Sequence, residues 1–274
     1  MATIDDPRAQ RTERADTRAT VRIGALGDIH FTKTPQPQRP LHDLLSAASR
    51  ACDVLVLTGD LTDRGLPEEA RSLAKEIHAA VSIPVVAVLG NHDHESGQPD
   101  EVSRILADTG IRVLDGDACE LAGIGFAGIK GFCGGFGKRA LGPWGEDIIK
   151  KFVHEAVEEA LKLESALARL RMEHRIAVLH YSPIQTTVEG EPREIFPFLG
   201  SSRLEEPLAR YRVDAVVHGH AHRGRPEGKT AGGVPVYNVS LPVLERAFPD
   251  RPAFRILEIE VGAPAEALHP AHVS

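Results

Sequence analysis

Five short runs of Val, Ile, Leu and Ala recur along the chain, and each stops abruptly at polar residues: "VRIGALGDIH", "DVLVLTGD", "VVAVLGNHD", "IAVLHYSP" and "DAVVHGHAH". Runs this short and apolar on both faces predict buried strands of an α/β sheet. Helical patterns lie between them. Pro67 opens "PEEARSLAKEIHAAV", with Leu73, Ile77 and Val81 at helical spacing, proline at the first helical position and acids in the first turn. "PDEVSRILAD" repeats that design, and a longer amphipathic helix is predicted from about Glu146 to Arg171. Ser202 and Glu205 in "SSRLEEPLARY" have the spacing of a capping box. "RVLDGDACELAGIGFAGIKG" and "VPVYNVSLPVLERAFPDRPAFRILEIEV" predict strands joined by tight turns, hence an antiparallel component beside the parallel one.

Composition narrows the class. Of 274 residues, 42% are hydrophobic and 26% charged, which suits a globular domain with a real core. No linker divides the chain, so a single domain is expected from 21 to 274, after a flexible tail over 1–20. That tail, "MATIDDPRAQRTERADTRAT", has no apolar stretch of the secretory kind. No apolar run approaches the roughly 18 to 20 residues that cross a bilayer, so no membrane partner is expected. A net charge of -7 disfavours nucleic acid, which basic surfaces hold by neutralising phosphates. Cys52, Cys119 and Cys133 have no C-x-x-C spacing and are expected to be free, reduced thiols of a cytoplasmic protein.

Two phosphate-binding signatures fail on context. "GIGFAG" (Gly123 to Gly128) continues into "IKGFCGGFG" instead of a helix, so it predicts a hairpin and not a dinucleotide site. In "GGFGKRA", Lys138 is followed by Arg139 where a hydroxyl would have to reach magnesium.

The chemistry sits where the strands stop. Asp28 and His30 follow the first run, Asp60 the second, Asn91, His92 and Asp93 the third, His180 the fourth, and His218, His220 and His222 the fifth. The carboxyl ends of such strands line the ligand crevice, so these residues should converge. Acids, imidazoles and an amide suit first-row divalent metals such as manganese, iron or zinc. Any one of these pieces alone reads as a turn or a helix cap. All five strand ends carrying ligand-type side chains is a different matter.

Asp28-x-His30, Gly59-Asp60, Gly90-Asn91-His92-Asp93, His180 and Gly219-His220-Ala221-His222 resemble the ordered motifs of the calcineurin-like metallophosphoesterase superfamily, over roughly Val21 to Arg225. "GDLTDRG" is similar to the small bacterial phosphoesterases that include class III cyclic-nucleotide phosphodiesterases. The resemblance implies a four-layer α/β/β/α sandwich of two mixed sheets flanked by helices, the metallo-dependent phosphatase fold, with two divalent metal ions at the strand ends. It puts Asp28, His30, Asp60 and His222 on one ion and Asp60, Asn91, His180 and His220 on the other. Asp60 bridges, since a carboxylate offers two anionic oxygens to two cations about 3.5 to 4 Å apart.

By the same resemblance, His92 faces the leaving-group oxygen as general acid, with Asp93 orienting its other ring nitrogen. Arg64 is a candidate for binding the substrate phosphate, beside Asn91. His218 has no place in the pattern; a packing role or one behind the ligands is expected, so its loss should hurt less than loss of His220 or His222. Gly219 is expected to let the backbone turn tightly beneath the ions. The segments "GFCGGFGKRALGPWGE" and "TTVEGEPREIFPFLGSSR" are lid candidates, with Phe132, Phe136, Trp144, Phe196 and Phe198 as stacking walls or as packing.

The expected function is hydrolysis of a small phosphate ester, a nucleotide-like phosphodiester first, by attack of a metal-bridging hydroxide. A phosphomonoesterase, phosphoprotein phosphatases included, is the alternative. A nuclease and a non-catalytic interaction module of the same fold stand behind it. The sequence does not specify the oligomeric state.

Overall fold

The computed structural model describes residues 19–32 and 41–262. The expected tail lies outside the described residues except for Ala19 and Thr20, which already belong to the first strand. In chain order the strands are β1 (Ala19–Leu26), β2 (Val54–Thr58), β3 (Val85–Val88), β4 (Arg112–Val113), β5 (Asp117–Leu121) and β6 (Ile124–Gly128). They continue with β7 (His174–Val178), β8 (Ala215–His218), β9 (Glu227–Lys229), β10 (Pro235–Asn238) and β11 (Arg255–Val261). The helices are α1 (Leu41–Ala51), α2 (Pro67–Ala80), α3 (Pro99–Ala107), α4 (Asp147–Arg169), α5 (Phe196–Leu199), α6 (Glu205–Arg210) and α7 (Leu241–Ala247).

The five runs divide between two sheets. The first has the order β11-β1-β2-β3-β4, parallel except for β11. The second runs β5-β6-β7-β8-β10-β9, with β6, β7, β8 and β10 parallel and both edge strands antiparallel. Strand periodicity then sets the layers. In the second sheet Ile124, Phe126, Ile176, Val178, Ala215 and Val217 enter the core shared with the first. Their neighbours Ala127, Ala177, Val216 and Val236 pack with Leu163, Ala166 and Leu167 of α4. Helices α1, α2 and α3 cover the first sheet and α4 with α6 the second, giving the α/β/β/α sandwich.

Local expectations fare unevenly. Pro67 does open α2, and "GIGFAG" is a hairpin strand entered through Ala122 and Gly123, at φ 51° and 78°. Helix α1 is an addition to the expected elements. The stretch from Val234 to Val261 is corrected: β10 and β11 belong to different sheets and α7 joins them, with Leu241, Val243 and Leu244 buried. An apolar run this short fits helix or strand equally well, and packing decides. The capping box at Ser202 and Glu205 is also corrected. Ser201 accepts the Arg203 amide at 3.3 Å, while the Glu205 carboxylate accepts from the Ala231 amide.

The two lid candidates are fastened to each other and form a wall. Gly134 N–H donates to Pro197 O at 2.7 Å, Gly135 N–H to Gly200 O at 2.9 Å, and Ser202 N–H to Gly135 O at 3.1 Å. The first of them is also tied to the body. Glu159, buried on α4, accepts the Gly131 amide at 2.7 Å and pairs with Lys162 at 2.8 Å. Removing a buried acceptor leaves its donor without a partner, so Glu159→Ala should cost about 1–3 kcal/mol in urea unfolding. A loss within measurement error would show that the wall holds without this tie.

Candidate metal centre

At the exit of the strands the backbone takes conformations that non-glycine residues avoid. Asp28 (φ 58°), His30 (47°), Asp60 (47°) and His220 (70°) are all left-handed. Each such residue costs about 1–3 kcal/mol and persists only when its surroundings hold it. The crossing loops do so: Asp28 N–H donates to Gly59 O and His30 N–H to Asp60 O, both at 2.9 Å. The carboxylates then reach across to the next loops. Asp60 Oδ1 accepts His92 N–H at 2.8 Å, and Asp28 Oδ1 accepts His220 N–H at 2.9 Å. Glycines make room for them, since a Cβ on Gly219 would strike the Asp28 carboxylate and one on Gly90 the Asp60 carboxylate. The expected role of Gly219 is therefore corrected: it provides space, and the strained turn falls on His220.

These loops bring lone pairs together. His180, fully buried, donates Nδ1–H to Thr58 O at 2.8 Å, which leaves Nε2 without a hydrogen. That nitrogen faces Asn91 Oδ1 at 2.9 Å and Asp60 Oδ1 at 3.4 Å. Burial holds the ring neutral, its pKa far below the usual imidazole range. His220 donates Nε2–H to Phe198 O at 3.1 Å, which frees Nδ1, and burial with neighbouring His180 lowers its pKa to about 3.

On the other side, His222 Nε2 lies 3.0 Å from Asp28 Oδ1. His30 Nε2 is buried with no hydrogen-bond partner, 3.8 Å from Asp60 Oδ2. The two oxygens of Asp60 thus point to different histidines. Burial, with Asp60 nearby, raises the Asp28 pKa to about 6. Three overlapping sets, Asp28/His30/His222, His30/Asp60/His92 and Asp60/His180/His220, each hold their donor atoms within 4.8 Å of one another. The nitrogens of His180 and His220 that face the site without hydrogens, an amide oxygen and carboxylates fit divalent cations, while the hydrogen bond to Asp28 raises the pKa of His222 and keeps a proton between them.

His92 stands beside this cluster, its ring 4.5 Å edge-on from that of His30. Nδ1–H donates to Asp63 O at 2.7 Å, so Nε2 is the free nitrogen. Burial lowers its pKa, but the Asp63 carbonyl and the charges of Asp60, Glu95 and Asp63 outweigh it, and the net shift is upward.

The expected role of Asp93 is corrected. Its fully buried carboxylate does not orient the His92 ring. It accepts the amides of Leu61 (3.1 Å), Thr62 (2.8 Å) and Gly90 (2.8 Å) and the Thr62 hydroxyl (2.6 Å), binding the Asp60 loop to the Asn91 loop. Arg64 is exposed, its Nε 3.8 Å from Asp63 Oδ2, while Asp63 Oδ1 is 3.6 Å from His30. Of the five loop aromatics, Phe132 packs on Phe152, and Phe136 and Phe196 on the cluster of Val188, Leu199 and Ala221. Trp144 and Phe198 are exposed.

Sequence reasoning missed the groups that act through backbone. The Thr58, Asp63 and Phe198 carbonyls each fix a ring, and Arg246 donates to His222 O and Gly224 O, both at 2.9 Å. A carbonyl is present at every residue, so no pattern of residue types marks these.

Fold and donor set together define a class, an α/β/β/α metal-dependent hydrolase with candidate ligands at the strand ends. The chain belongs to the calcineurin-like phosphoesterase family, a family of metal-dependent phosphoester hydrolases, and the family's sequence profile matches residues 21–224. It is similar to the Probable glycerophosphodiester phosphodiesterase GpdQ of Arcobacter nitrofigilis, 24% identical over 184 residues, or 62% of this chain and 57% of that one. The match therefore spans little more than half of that relative's length. Among solved structures it resembles the phosphopantetheinyl hydrolase PptH of Mycobacterium tuberculosis, with TM-score 0.61 and 16% identity over 91% of this chain and 98% of that one. It also resembles TT1561 of Thermus thermophilus, with TM-score 0.52 and 12% identity over 88% and 99% of the two chains. Identities this low speak for the fold alone.

Asp93 offers a discriminating test. As a tie between loops, Asp93→Ala should lose about 3 kcal/mol or more of stability, because several buried donors lose a charged acceptor at once. Metal affinity and turnover should fall together with it. A selective fall in turnover, with stability and metal content intact, would restore a direct role in the chemistry.

Proposed function

We propose that this protein hydrolyses small phosphodiesters at a dinuclear metal centre, a nucleotide-like diester being the first substrate class. The observation that carries this reading is the meeting of His180 Nε2 with Asn91 Oδ1 at 2.9 Å and Asp60 Oδ1 at 3.4 Å while the ring hydrogen is held elsewhere by Thr58. Such lone pairs repel unless a cation stands among them.

Asp28, His30, Asp60 and His222 would hold one ion, and Asp60, Asn91, His180 and His220 the other. Asp60 serves both, one oxygen toward His180 and one toward His30. Manganese, iron and zinc all suit this nitrogen and oxygen set. When bound, such ions supply Lewis acidity, drawing charge from a phosphoryl oxygen and lowering the pKa of water.

The chain's own residues do the rest. His92 commits Nδ1–H to Asp63 and presents Nε2, whose proton is the one available to a departing alkoxide. Its raised pKa favours the protonated ring that this role needs. Asn91 orients a phosphoryl oxygen from the edge of the site. Exposed Phe198, whose carbonyl holds His220, offers a flat apolar face for a base or similar group.

Charge balance favours a diester. Two divalent ions bring four positive charges, Asp28 and Asp60 return two, and neutral imidazoles add none. A deprotonated nucleophile and a singly charged diester balance the remainder without a further cation. Arg64 is the cation that a doubly charged monoester would draw upon, and its guanidinium faces Asp63 from solvent. The likeness to a glycerophosphodiester phosphodiesterase points the same way. No helix among the described residues is long and apolar enough to cross a membrane. Three unpaired cysteines, each raised to about 11 by burial, suit a reducing compartment, and we assign the protein to the cytoplasm.

With manganese added, the protein should cleave bis(p-nitrophenyl) phosphate faster than p-nitrophenyl phosphate. Preference for the monoester would overturn the diester reading. His92→Ala should keep its metal content in elemental analysis and lose about 10²-fold or more in turnover. Unchanged turnover would remove the general-acid role. Arg64→Ala should move KM for the diester by less than about threefold, as expected for an exposed pair.

A further inference from the structure

The one histidine of "VHGHAH" outside the ligand set is also its most buried. His218 ends β8 with no exposure, its Nδ1 2.8 Å from Gly219 O and its Nε2 2.8 Å from Thr187 Oγ1. A carbonyl only accepts, so Nδ1 carries the hydrogen and Nε2 accepts from the Thr187 hydroxyl. Burial keeps the ring neutral, which preserves that pattern. Ser182 Oγ, buried as well, completes the chain 2.8 Å from Thr187 Oγ1 and 2.8 Å from Ile184 O.

A second side chain reaches the same loop from the neighbouring strand. Asn238, at the end of β10 and 1% exposed, donates Nδ2–H to Ala221 O at 2.7 Å and to Thr187 O at 3.4 Å. Its own oxygen accepts Ser240 N–H at 3.1 Å. Gly219 and Ala221 are the residues on either side of His220. Each has its carbonyl held by a buried side chain, and both side chains lean on Thr187.

We infer that His218 and Asn238, joined through Thr187, are positioning residues that clamp the backbone on both sides of His220. This rests on the reading of His220 and His222 as metal ligands. The physical need is specific. His220 sits at φ 70°, a conformation its backbone does not choose, and its ring must present Nδ1 while Nε2 is held by Phe198. A relaxed loop would return His220 to ordinary backbone angles and swing the ring away from His180 and Asp60. The clamp also explains three polar side chains in a place where apolar ones would pack at less cost: a buried hydrogen-bonded network rigidifies the backbone it holds. It further ties the loop to Thr186–Val188, which begins the wall that carries Phe198.

The test measures ion binding instead of turnover. Wild type, His218→Asn, His218→Leu and Thr187→Val are titrated with Mn²⁺ against a chelator, and with Co²⁺ followed by its visible absorption. Asparagine keeps a donor where Nδ1–H stands but loses the Thr187 contact, so His218→Asn should weaken one ion by about three- to tenfold, less than His218→Leu. His218→Leu should weaken one ion by about tenfold or more and alter the Co²⁺ spectrum, the range seen when partners behind metal ligands are lost. If His218→Leu does not fold, Thr187→Val, which removes the same contact as His218→Asn and keeps the Nδ1–H donor, should weaken that ion by about three- to tenfold. Thr187→Val and any folded His218→Leu binding both ions within threefold of wild type would overturn the proposal. So would His218→Asn falling as far as His218→Leu, since packing alone would then explain the loss. A wild-type chain that binds no divalent ion would overturn the metal reading itself, and the clamp with it, before any variant is compared.

Discussion

Asp28 joins the two halves of the molecule. Its carboxylate, at the end of β1 in the first sheet, accepts the amide of His220 beyond β8 in the second, 192 residues away in sequence. Two stacked sheets of mostly parallel strands have no reason of their own to align their carboxyl ends to within an ångström. Hydrophobic burial between them is not directional, and the apolar side chains of β3 and β6 would tolerate small slips. A charged acceptor seated against one particular amide does not. The missing Cβ at Gly219 is what lets the carboxylate approach, so a glycine and an aspartate from opposite ends of the chain add a directional tie to those of Gly27 with Val239 and Leu241 and of His180 with the Thr58 carbonyl.

Most of the remaining local strain follows from that alignment. Four ligand-type residues hold left-handed backbone at the strand exits, and each is pinned by a hydrogen bond from another loop. Asp93, although it touches no neighbouring imidazole, gathers four donors and is the counterpart of Asp28 within the first sheet. Its carboxyl is raised to about 6, burial opposing the charge and Asp60 adding to it. Asp28 and Asp93 are thus both dry carboxylates whose charge is met by amides, a hydroxyl and the His222 ring, and this holds the loops that carry the candidate ligands in place.

The convergence of the candidate ligands was legible because it is written locally. Each apolar run must end somewhere, and what stands at the end is visible without knowing which sheet the run joins. The same economy explains the errors. Asp93 looks like the partner of His92 because they are adjacent, yet a 3₁₀ turn directs the two side chains apart. The segment at Leu241 reads as strand or helix until α7 is seen to carry the chain from the second sheet to the first. Thr58, Asp63 and Phe198 act through carbonyls, which no residue letter encodes. Arg64 is not among the errors: its role toward a phosphate is an expectation from its neighbours in "TDRG", and the direction of a long exposed side chain is not fixed by them.

Substrate recognition and ion binding are hard to separate in such a molecule. The wall that would contact a substrate is not hung on a hinge: it is stitched to itself at Gly134, Gly135 and Ser202, to α4 through Glu159, and to His220 through the Phe198 carbonyl. A change that altered the wall to admit a different ester would therefore be felt at the His220 ring, and loss of an ion held there, as proposed, would loosen the segment that carries Phe198. Specificity in this chain should then evolve at the exposed tips, Phe198 and Trp144, whose side chains can change while the backbone behind them stays where the proposed ligands need it.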